Sequence, residues 1–213
     1  FKKDSHSYRI SIGQFGKILK LIREKRCKKV IFAGKINKPK FSQLKLDMTG
    51  IYYIPKIVKA AKKGDAAILK ELINILFLEK IKVISSTYFN PELSLRRGNY
   101  TKLRPNKHDL IDIKKGIKIL QNSNSYDHVQ AIIVRNNIVV TETHKGTKKL
   151  IQSVKKTKNN NGILIKFPKK KQDLRADLPT IGLDTFKDCK KAGLKGVVLK
   201  NKQNIFLEKK SMY

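Results

Sequence analysis

Residues 64–86 read GDAAILKELINILFLEKIKVISS and contain a helix pattern followed directly by a strand pattern. The apolar side chains of the helix part recur at the spacing of one helix face: Leu69, Leu72, Ile75 and Leu76. Asp65 is expected to be the N-cap of this helix. The segment KVISS at 82–86 and the upstream segment VIFA at 30–33 are both typical of short buried strands. A strand, a helix and a strand in this order form a βαβ pattern, so the sequence predicts a parallel sheet.

Further elements are predicted on both sides of this pattern. An amphipathic helix is expected over 14–26, and residues 90–106 lack any periodicity and contain Pro, Gly and Asn, which indicates a linker. The elements predicted beyond the linker are a helix at 109–121, a hairpin at 129–134 and 138–141 around Asn136-Asn137, a short helix capped by Thr147 that ends near Lys156, a strand at 163–167, an irregular stretch at 168–182, a helix at 183–192 closed by Gly193, and a final hairpin at 196–199 and 205–207.

Two domains follow from this order of elements. Residues 1–104 are predicted to form an α/β domain with a partial, Rossmann-like parallel sheet, and residues 105–213 a mixed α+β domain. The sequence opens on Phe1 in the middle of an element. We therefore expect the first domain to be incomplete at its start.

The net charge of the chain is +33, which invites a nucleic-acid-binding interpretation. The charge is evenly spread, because residues 1–106 hold 25 basic and 7 acidic residues and residues 107–213 hold 24 and 9. The positive charge is also carried by 41 Lys against 8 Arg, although proteins that bind phosphates and bases through paired hydrogen bonds favour Arg. Together with 26 Ile and only 8 Ala, this composition is expected from an AT-rich genome. We predict no specific nucleic-acid partner, with a basic nucleic-acid-binding module as an alternative.

Composition also argues against two structural classes. The longest apolar-rich stretch, residues 69–78, includes two charged residues and is much shorter than the roughly 20 apolar residues that span a bilayer. Cys27 and Cys189 are too few and too far apart in the sequence for a disulfide scaffold or a zinc ribbon.

Residues 172–182, QDLRADLPTIG, contain the strongest candidate site. Acidic residues are scarce in this chain, yet Asp173 and Asp177 lie four residues apart in a loop that leads to a helix. Mg²⁺ binds one or two protein carboxylates and completes its shell with water and phosphate oxygens, so this pair predicts a Mg²⁺ site. Arg175 between them is suited to clamp a phosphate. On spacing alone, an ion pair with Arg175 and a loop cap by Asp177 explain the same residues.

Two glycine-containing helix starts are weaker candidates. Gly146-Thr147 offers backbone N–H groups and a hydroxyl to a phosphate, and an ordinary N-cap explains the same residues. Gly64-Asp65 has the same two interpretations.

Several segments occur in a fixed order along essentially the whole chain: GQFGK (13–17), VIFAGKI (30–36), KKGDAAILKEL (62–72), NPELSLRRGNYTKLRPNKHDLIDIKKGIKIL (90–120), VQAIIVRNNIVVTETHKGTKKLI (129–151), QDLRADLPTIG (172–182) and AGLKGVVL (192–199). Together they resemble the LpxI-type UDP-2,3-diacylglucosamine pyrophosphatases of lipid A biosynthesis. The segment QDLRADLPTIG (172–182) is similar to the most distinctive motif of that family.

The resemblance implies a Mg²⁺-dependent hydrolase of the cytoplasmic side, with two domains and the substrate between them. It would split UDP-2,3-diacylglucosamine into 2,3-diacylglucosamine 1-phosphate and UMP. Asp173 and Asp177 carry over as the catalytic and metal-binding residues. The residues that carry over as substrate-binding are Gln172, Arg175, Thr180, Gly146, Thr147, Gln130, Gly34, Lys35 and Asp65. Peripheral contact with the inner membrane and a homodimer are further expectations.

The chain departs from the family pattern at three positions. Lys145 and Lys148 flank Gly146-Thr147 where the family has Glu and Asp, and Ala66 stands where the family has a second Asp after Gly64. The resemblance therefore also allows a family member that binds the nucleotide glycolipid with reduced or no turnover.

Overall fold

A computed structural model describes residues 4, 6–34, 40–122, 126, 128–158, 161–170 and 172–208. The chain groups into two compact units: unit 1 comprises residues 1–86 with 175–177, and unit 2 comprises residues 87–174 with 178–213. No helix in the described part of the chain is long and apolar enough to cross a membrane. The domain boundary between residues 104 and 105 stays a prediction.

The described part of unit 1 contains a parallel pair of short strands and three α-helices. The elements are α1 (Phe15–Glu24), β1 (Lys29–Ile31), α2 (Met48–Ala61), α3 (Asp65–Leu78) and β2 (Lys82–Ile84), with a 3-10 helix at Phe41–Gln43. Val30 lies opposite Val83 in the parallel pair, which confirms the parallel pairing predicted from the βαβ pattern. The core of unit 1 is formed by Leu19, Ile73, Leu76, Ile81 and Val83.

Helix α2 was not among the predicted elements, because its sequence has Pro55 in its interior and several β-branched and aromatic residues. Its N-cap, Asp47, accepts a hydrogen bond from Gly50 N at 2.8 Å. The same carboxylate accepts from Gly16 N at 3.1 Å and Lys17 N at 3.0 Å, at the start of α1. Burial would raise the pKa of Asp47, but these three hydrogen bonds outweigh it and lower the pKa. One carboxylate therefore caps two helices.

The N-cap prediction for α3 was wrong. Gly64, with φ of +107°, is the N-cap, and Asp65 is the first residue inside the helix. The carbonyl of Gly64 accepts hydrogen bonds from Ala67 N and Ile68 N. A left-handed φ suits a residue without a side chain, which places the helix boundary one residue earlier than the capping preference of Asp indicates.

Unit 2 is built on a four-stranded mixed sheet. Its elements are α4 (Lys107–Asn122), β3 (Ala131–Arg135), β4 (Ile138–Thr141), α5 (Gly146–Ser153), β5 (Ile163–Lys166), β6 (Thr180–Ile181), α6 (Leu183–Lys191), β7 (Gly196–Leu199) and β8 (Ile205–Phe206), with a 3-10 helix at Pro91–Leu93. The strand order is β4-β3-β5-β7, in which β3 is antiparallel to both β4 and β5, and β7 is parallel to β5.

Helices cover both faces of this sheet. One face packs against α4 through Ile132, Val134 and Ile165, and the other face packs against α5 and α6 through Ile133 and Leu164. Every residue of β5 is buried, as expected for a strand covered on two sides. The predicted hairpin at Asn136-Asn137 is confirmed by the pairing of β3 with β4.

Three other predictions for unit 2 were wrong. The segments 196–199 and 205–207 do not pair with each other, because β7 completes a parallel crossover from β5 and β8 pairs in parallel with β6. The stretch 168–182 is not wholly irregular, since it contains β6. Thr147 is not the N-cap of α5: that position is Lys145, and the helix ends at Ser153.

Candidate functional site

The carboxyl ends of β4, β5 and β7 meet at one edge of the unit 2 sheet, because all three strands run in the same direction. A row of backbone contacts crosses the sheet at this edge. Lys166, the last residue of β5, lies opposite Ala131 on β3 and Leu199 on β7. Glu142 N, just beyond β4, donates to Ala131 O at 3.0 Å. Ligands of α/β sheets bind beyond the carboxyl ends of parallel strands, so this edge is the candidate site of unit 2.

Four of the predicted substrate-binding residues lie at this edge. Gln130 precedes β3, and its carbonyl accepts from Phe167 N at 2.9 Å. Gly146, with φ of +82°, opens α5, and Thr147 donates its hydroxyl to Glu142 Oε1 at 3.3 Å. Thr180 begins β6, and its carbonyl accepts from Lys166 Nζ at 2.8 Å. The hydroxyl of Thr147 therefore holds an acidic side chain instead of capping its helix.

Lys166 was not predicted as a site residue. Its exposed fraction is 8%, and it is the only lysine among the described residues that is buried. Burial lowers the pKa of Lys166, and the negative charge of Glu142 opposes that shift. Asn204, which is also buried, donates from Nδ2 to the Lys166 carbonyl at 3.2 Å. The signal in the sequence was a single lysine at the end of the apolar run ILI, which also fits an ordinary strand end.

Glu142 was also missed, although acidic residues are scarce in this chain. Its Oε1 accepts the hydroxyl of Thr147, while its Oε2 is buried and has no hydrogen-bond partner among the described residues. Burying a carboxylate oxygen without a partner costs free energy. The negative charge of the Glu142 carboxylate acts on the Lys166 ammonium and favours its protonated form.

Within the segment 172–182, the residues of the predicted metal site fall in different units. Asp173 belongs to unit 2, whereas Arg175 and Asp177 group with unit 1. Both aspartates are half-buried, and Arg175 is exposed. Gln172 forms a local turn, because its Oε1 accepts from Lys169 N at 2.9 Å.

The donor set of the two aspartates fits Mg²⁺ in its chemistry. Carboxylate oxygens are hard ligands, and Mg²⁺ takes its remaining ligands from water and phosphate oxygens. Among the described residues, no group of three or more His, Cys, Asp or Glu side chains is placed to hold a metal ion. A metal at this segment would therefore rely on few protein ligands.

The other predicted site residues lie in unit 1 or outside the described ranges. Gly34 follows β1, is exposed and has φ of +91°. Asp65 is exposed in the first turn of α3. Lys35 lies outside the described residues.

Unit 1 also holds an apolar cavity of about 110 Å³. It is lined by aliphatic and aromatic side chains from the three helices and the segment before α2, among them Phe15, Phe41, Ile57, Ile68 and Leu72. An apolar cavity of roughly 150 Å³ is enough to bind benzene, so this cavity is suited to a small part of an apolar ligand.

Comparisons with known proteins cover both halves of the chain. The family model described as the LpxI N-terminal domain matches residues 1–93, and the one described as the LpxI C-terminal domain matches residues 96–213. The UDP-2,3-diacylglucosamine pyrophosphatase LpxI of Caulobacter vibrioides is 32% identical over 198 residues, which cover 89% of this chain and 71% of that protein.

Proposed function

The chain belongs to the LpxI family, and on that basis we propose that it hydrolyses UDP-2,3-diacylglucosamine to 2,3-diacylglucosamine 1-phosphate and UMP in lipid A biosynthesis. The observation that carries the proposal is the match to both LpxI domains, over residues 1–93 and 96–213. The carboxyl edge of the unit 2 sheet supports it, because four residues expected from the family resemblance lie there.

In the proposed reaction, the oxygen of a water molecule forms a bond to one phosphorus of the diphosphate. The bond from that phosphorus to the bridging oxygen breaks, the second phosphate leaves with its electron pair, and the proton released by the attacking water passes to the leaving phosphate or to solvent. Asp173 and Asp177 would hold Mg²⁺, which when bound supplies neutralisation of the charge that develops on the phosphate oxygens. Gln172, Arg175 and Thr180 would bind the substrate beside it.

The acyl groups and the membrane belong to the same proposal. The apolar cavity of unit 1 offers a surface for part of an acyl chain. The protein would act on the cytoplasmic side of the inner membrane, where exposed lysines are attracted to anionic head groups by about 1 kcal/mol each. Co-sedimentation with liposomes should rise with anionic lipid content, and indifference to that content would contradict the membrane contact.

We also propose that unit 1 is Rossmann-like in character and that the protein forms a homodimer.

The activity is tested by UMP release from UDP-2,3-diacylglucosamine, with Mg²⁺ and with excess EDTA. Asp173→Asn and Asp177→Asn are assayed beside Glu92→Gln, an exposed carboxylate in a 3-10 helix of unit 2. We expect turnover to require Mg²⁺, to fall at least about a hundredfold in one or both aspartate variants, and to be unchanged in the control. No UMP release by the unaltered protein would refute the activity, and full turnover by both aspartate variants would refute the assigned site.

The second candidate, a binder with reduced turnover, is favoured by the two lysines at the start of α5. Lys145 and Lys148 are exposed and lie at the positive end of the helix dipole, where acidic residues are stabilising. If these lysines reduce turnover, the double variant Lys145→Glu/Lys148→Asp should release UMP faster than the unaltered protein at equal substrate affinity. An equal or lower rate would exclude the two positions as the cause.

A further inference from the structure

Among the described residues, no counter-charge is in contact with the buried Lys166 ammonium. None of the ion pairs formed by the described residues includes Lys166. Its hydrogen-bond acceptor is the neutral carbonyl of Thr180. Burying an ammonium costs several kcal/mol unless a partner compensates it. Stability therefore does not explain why this one of the 41 lysines is buried.

The position of Lys166 explains what such a charge can do. It ends β5 at the carboxyl edge of the sheet, where the crevice beyond parallel strands receives ligands. An ammonium has three N–H donors, and the Thr180 carbonyl takes one of them. Glu142 is the charged side chain that acts on Lys166 among the described residues, and it favours the protonated form. The neighbouring Asn204 and Thr180 are neutral.

We infer that Lys166 is a phosphate-binding residue whose ammonium donates a hydrogen bond to a phosphoryl oxygen of the substrate. The inference rests on the proposed function for the identity of the substrate, but not for the binding of phosphate. The phosphate could be that of the nucleotide or that of the sugar, and these are separable by ligand. Lys166 also anchors Thr180, so charge and anchoring must be tested apart.

Three substitutions separate these roles. Lys166→Met removes the charge and the donor, Lys166→Gln keeps a donor for the Thr180 carbonyl without the charge, and Lys166→Arg keeps the charge. Lys190→Met is the matched control, because Lys190 is exposed in the last turn of α6, ahead of the amino end of β7, and its loss changes the net charge equally. Thermal unfolding of each full-length variant verifies folding, because Lys166→Met leaves the Thr180 carbonyl without its donor and the Glu142 carboxylate without a nearby positive charge.

Binding is measured by calorimetry at pH 7 with UMP, with uridine as its neutral control, and with glucosamine 1-phosphate. We expect Lys166→Met and Lys166→Gln to lose at least about tenfold in affinity for one of the two phosphates, as for a lost hydrogen bond to a charged group, and nothing for uridine. Lys166→Arg and Lys190→Met should stay within about threefold of the unaltered protein. The ligand that loses affinity identifies the phosphate. Unchanged affinity of the Gln variant for both phosphates, or no measurable binding of either by the unaltered protein, would overturn the inference.

The pH dependence gives a second readout. Affinity of the unaltered protein should fall at a lower pH than an ordinary lysine would allow, and Lys166→Arg should lack this fall, because a guanidinium stays charged. An identical profile in the Arg variant would also overturn the inference. Failure of the proposed function is distinguishable: if phosphate binding depends on Lys166 but the unaltered protein releases no UMP, the activity alone is refuted.

Discussion

The Asp47 carboxylate connects the starts of two helices in unit 1, and its replacement should weaken both. Oδ1 accepts from Gly16 N and Gly50 N, and Oδ2 accepts from Lys17 N. Loss of one helix cap costs about 1 kcal/mol, and a hydrogen bond to a charged acceptor contributes about 1.5–3 kcal/mol. Because Gly50 is buried, water cannot readily replace its lost acceptor. We expect Asp47→Ala to lower the free energy of unfolding of unit 1 by roughly 2–4 kcal/mol.

Two variants sharpen the Asp47 prediction. Asp47→Asn keeps the oxygen that can accept from Gly16 and Gly50 but loses the acceptor of Lys17, so its effect should be about half that of Asp47→Ala. Asp184→Ala removes an exposed acidic residue from the first turn of α6, where no side-chain cap is formed, and should cost no more than about 0.5 kcal/mol.

Hydrogen exchange of the backbone amides is the appropriate assay, since it reports unit 1 locally. Protection at the starts of α1 and α2 should fall together in Asp47→Ala. The pKa of Asp47 is lower in the folded chain than in the unfolded chain, so its contribution is complete above the unfolded pKa near pH 4 and is lost as the pH falls through the folded pKa. A destabilisation below about 0.5 kcal/mol at pH 7, or a loss of protection in only one helix, would refute the double cap.

Three other changes have defined outcomes. Alanine favours helices over glycine by about 1 kcal/mol, yet Gly50→Ala should lower the melting temperature, because its Cβ would lie 2.3 Å from the backbone oxygen of Gly13; a higher melting temperature would contradict the close approach. Burial and the neighbouring Asp188 raise the pKa of Cys189 to about 12, so iodoacetamide at pH 8 should label only the exposed Cys27 in the native protein and both thiols in urea, as counted by mass spectrometry. Ile57→Trp should fill the apolar cavity and raise KM for the diacylated substrate about fivefold, which corresponds to losing the burial of one or two methylenes of an acyl chain. A substrate without acyl chains should be hydrolysed as before.

The sequence predicted elements well where one periodicity governed a segment. The helix face of Leu69, Leu72 and Ile75 and the apolar strand that follows it decided α3 and β2, because local patterning and burial agree there. Helix α2 could not be predicted in the same way. Its interior contains Pro55, and the contacts of its cap Asp47 with Gly16 and Lys17, 30 or more residues earlier, have no signature in the local sequence.

The candidate site shows the same division. QDLRADLPTIG was found because two acidic residues in a short loop stand out in a chain that has few of them. The hydrogen bond from Lys166 to Thr180 joins β5 to β6, which lie in different sheets, and tertiary packing rather than local sequence decides such a contact. The sequence therefore predicted which loops carry polar residues but not which of them meet.

Solvent screening separates the buried lysine from the exposed ones. Charges at the surface are largely screened beyond about 10 Å at 0.1 M salt, whereas a buried charge in contact with its ligand is screened much less. If Lys166 binds phosphate directly, the ratio of phosphate affinities between the unaltered protein and Lys166→Met should change little between 50 and 500 mM salt, even as both affinities fall. The same ratio of affinities for Lys190→Met should differ little from one at low salt and approach one as the salt concentration rises. A Lys166 ratio that also collapses to one would mean that this lysine acts only through the general field of the +33 charge. Persistence of the ratio would mean that one buried ammonium, rather than the net charge, determines how the protein recognises a phosphate.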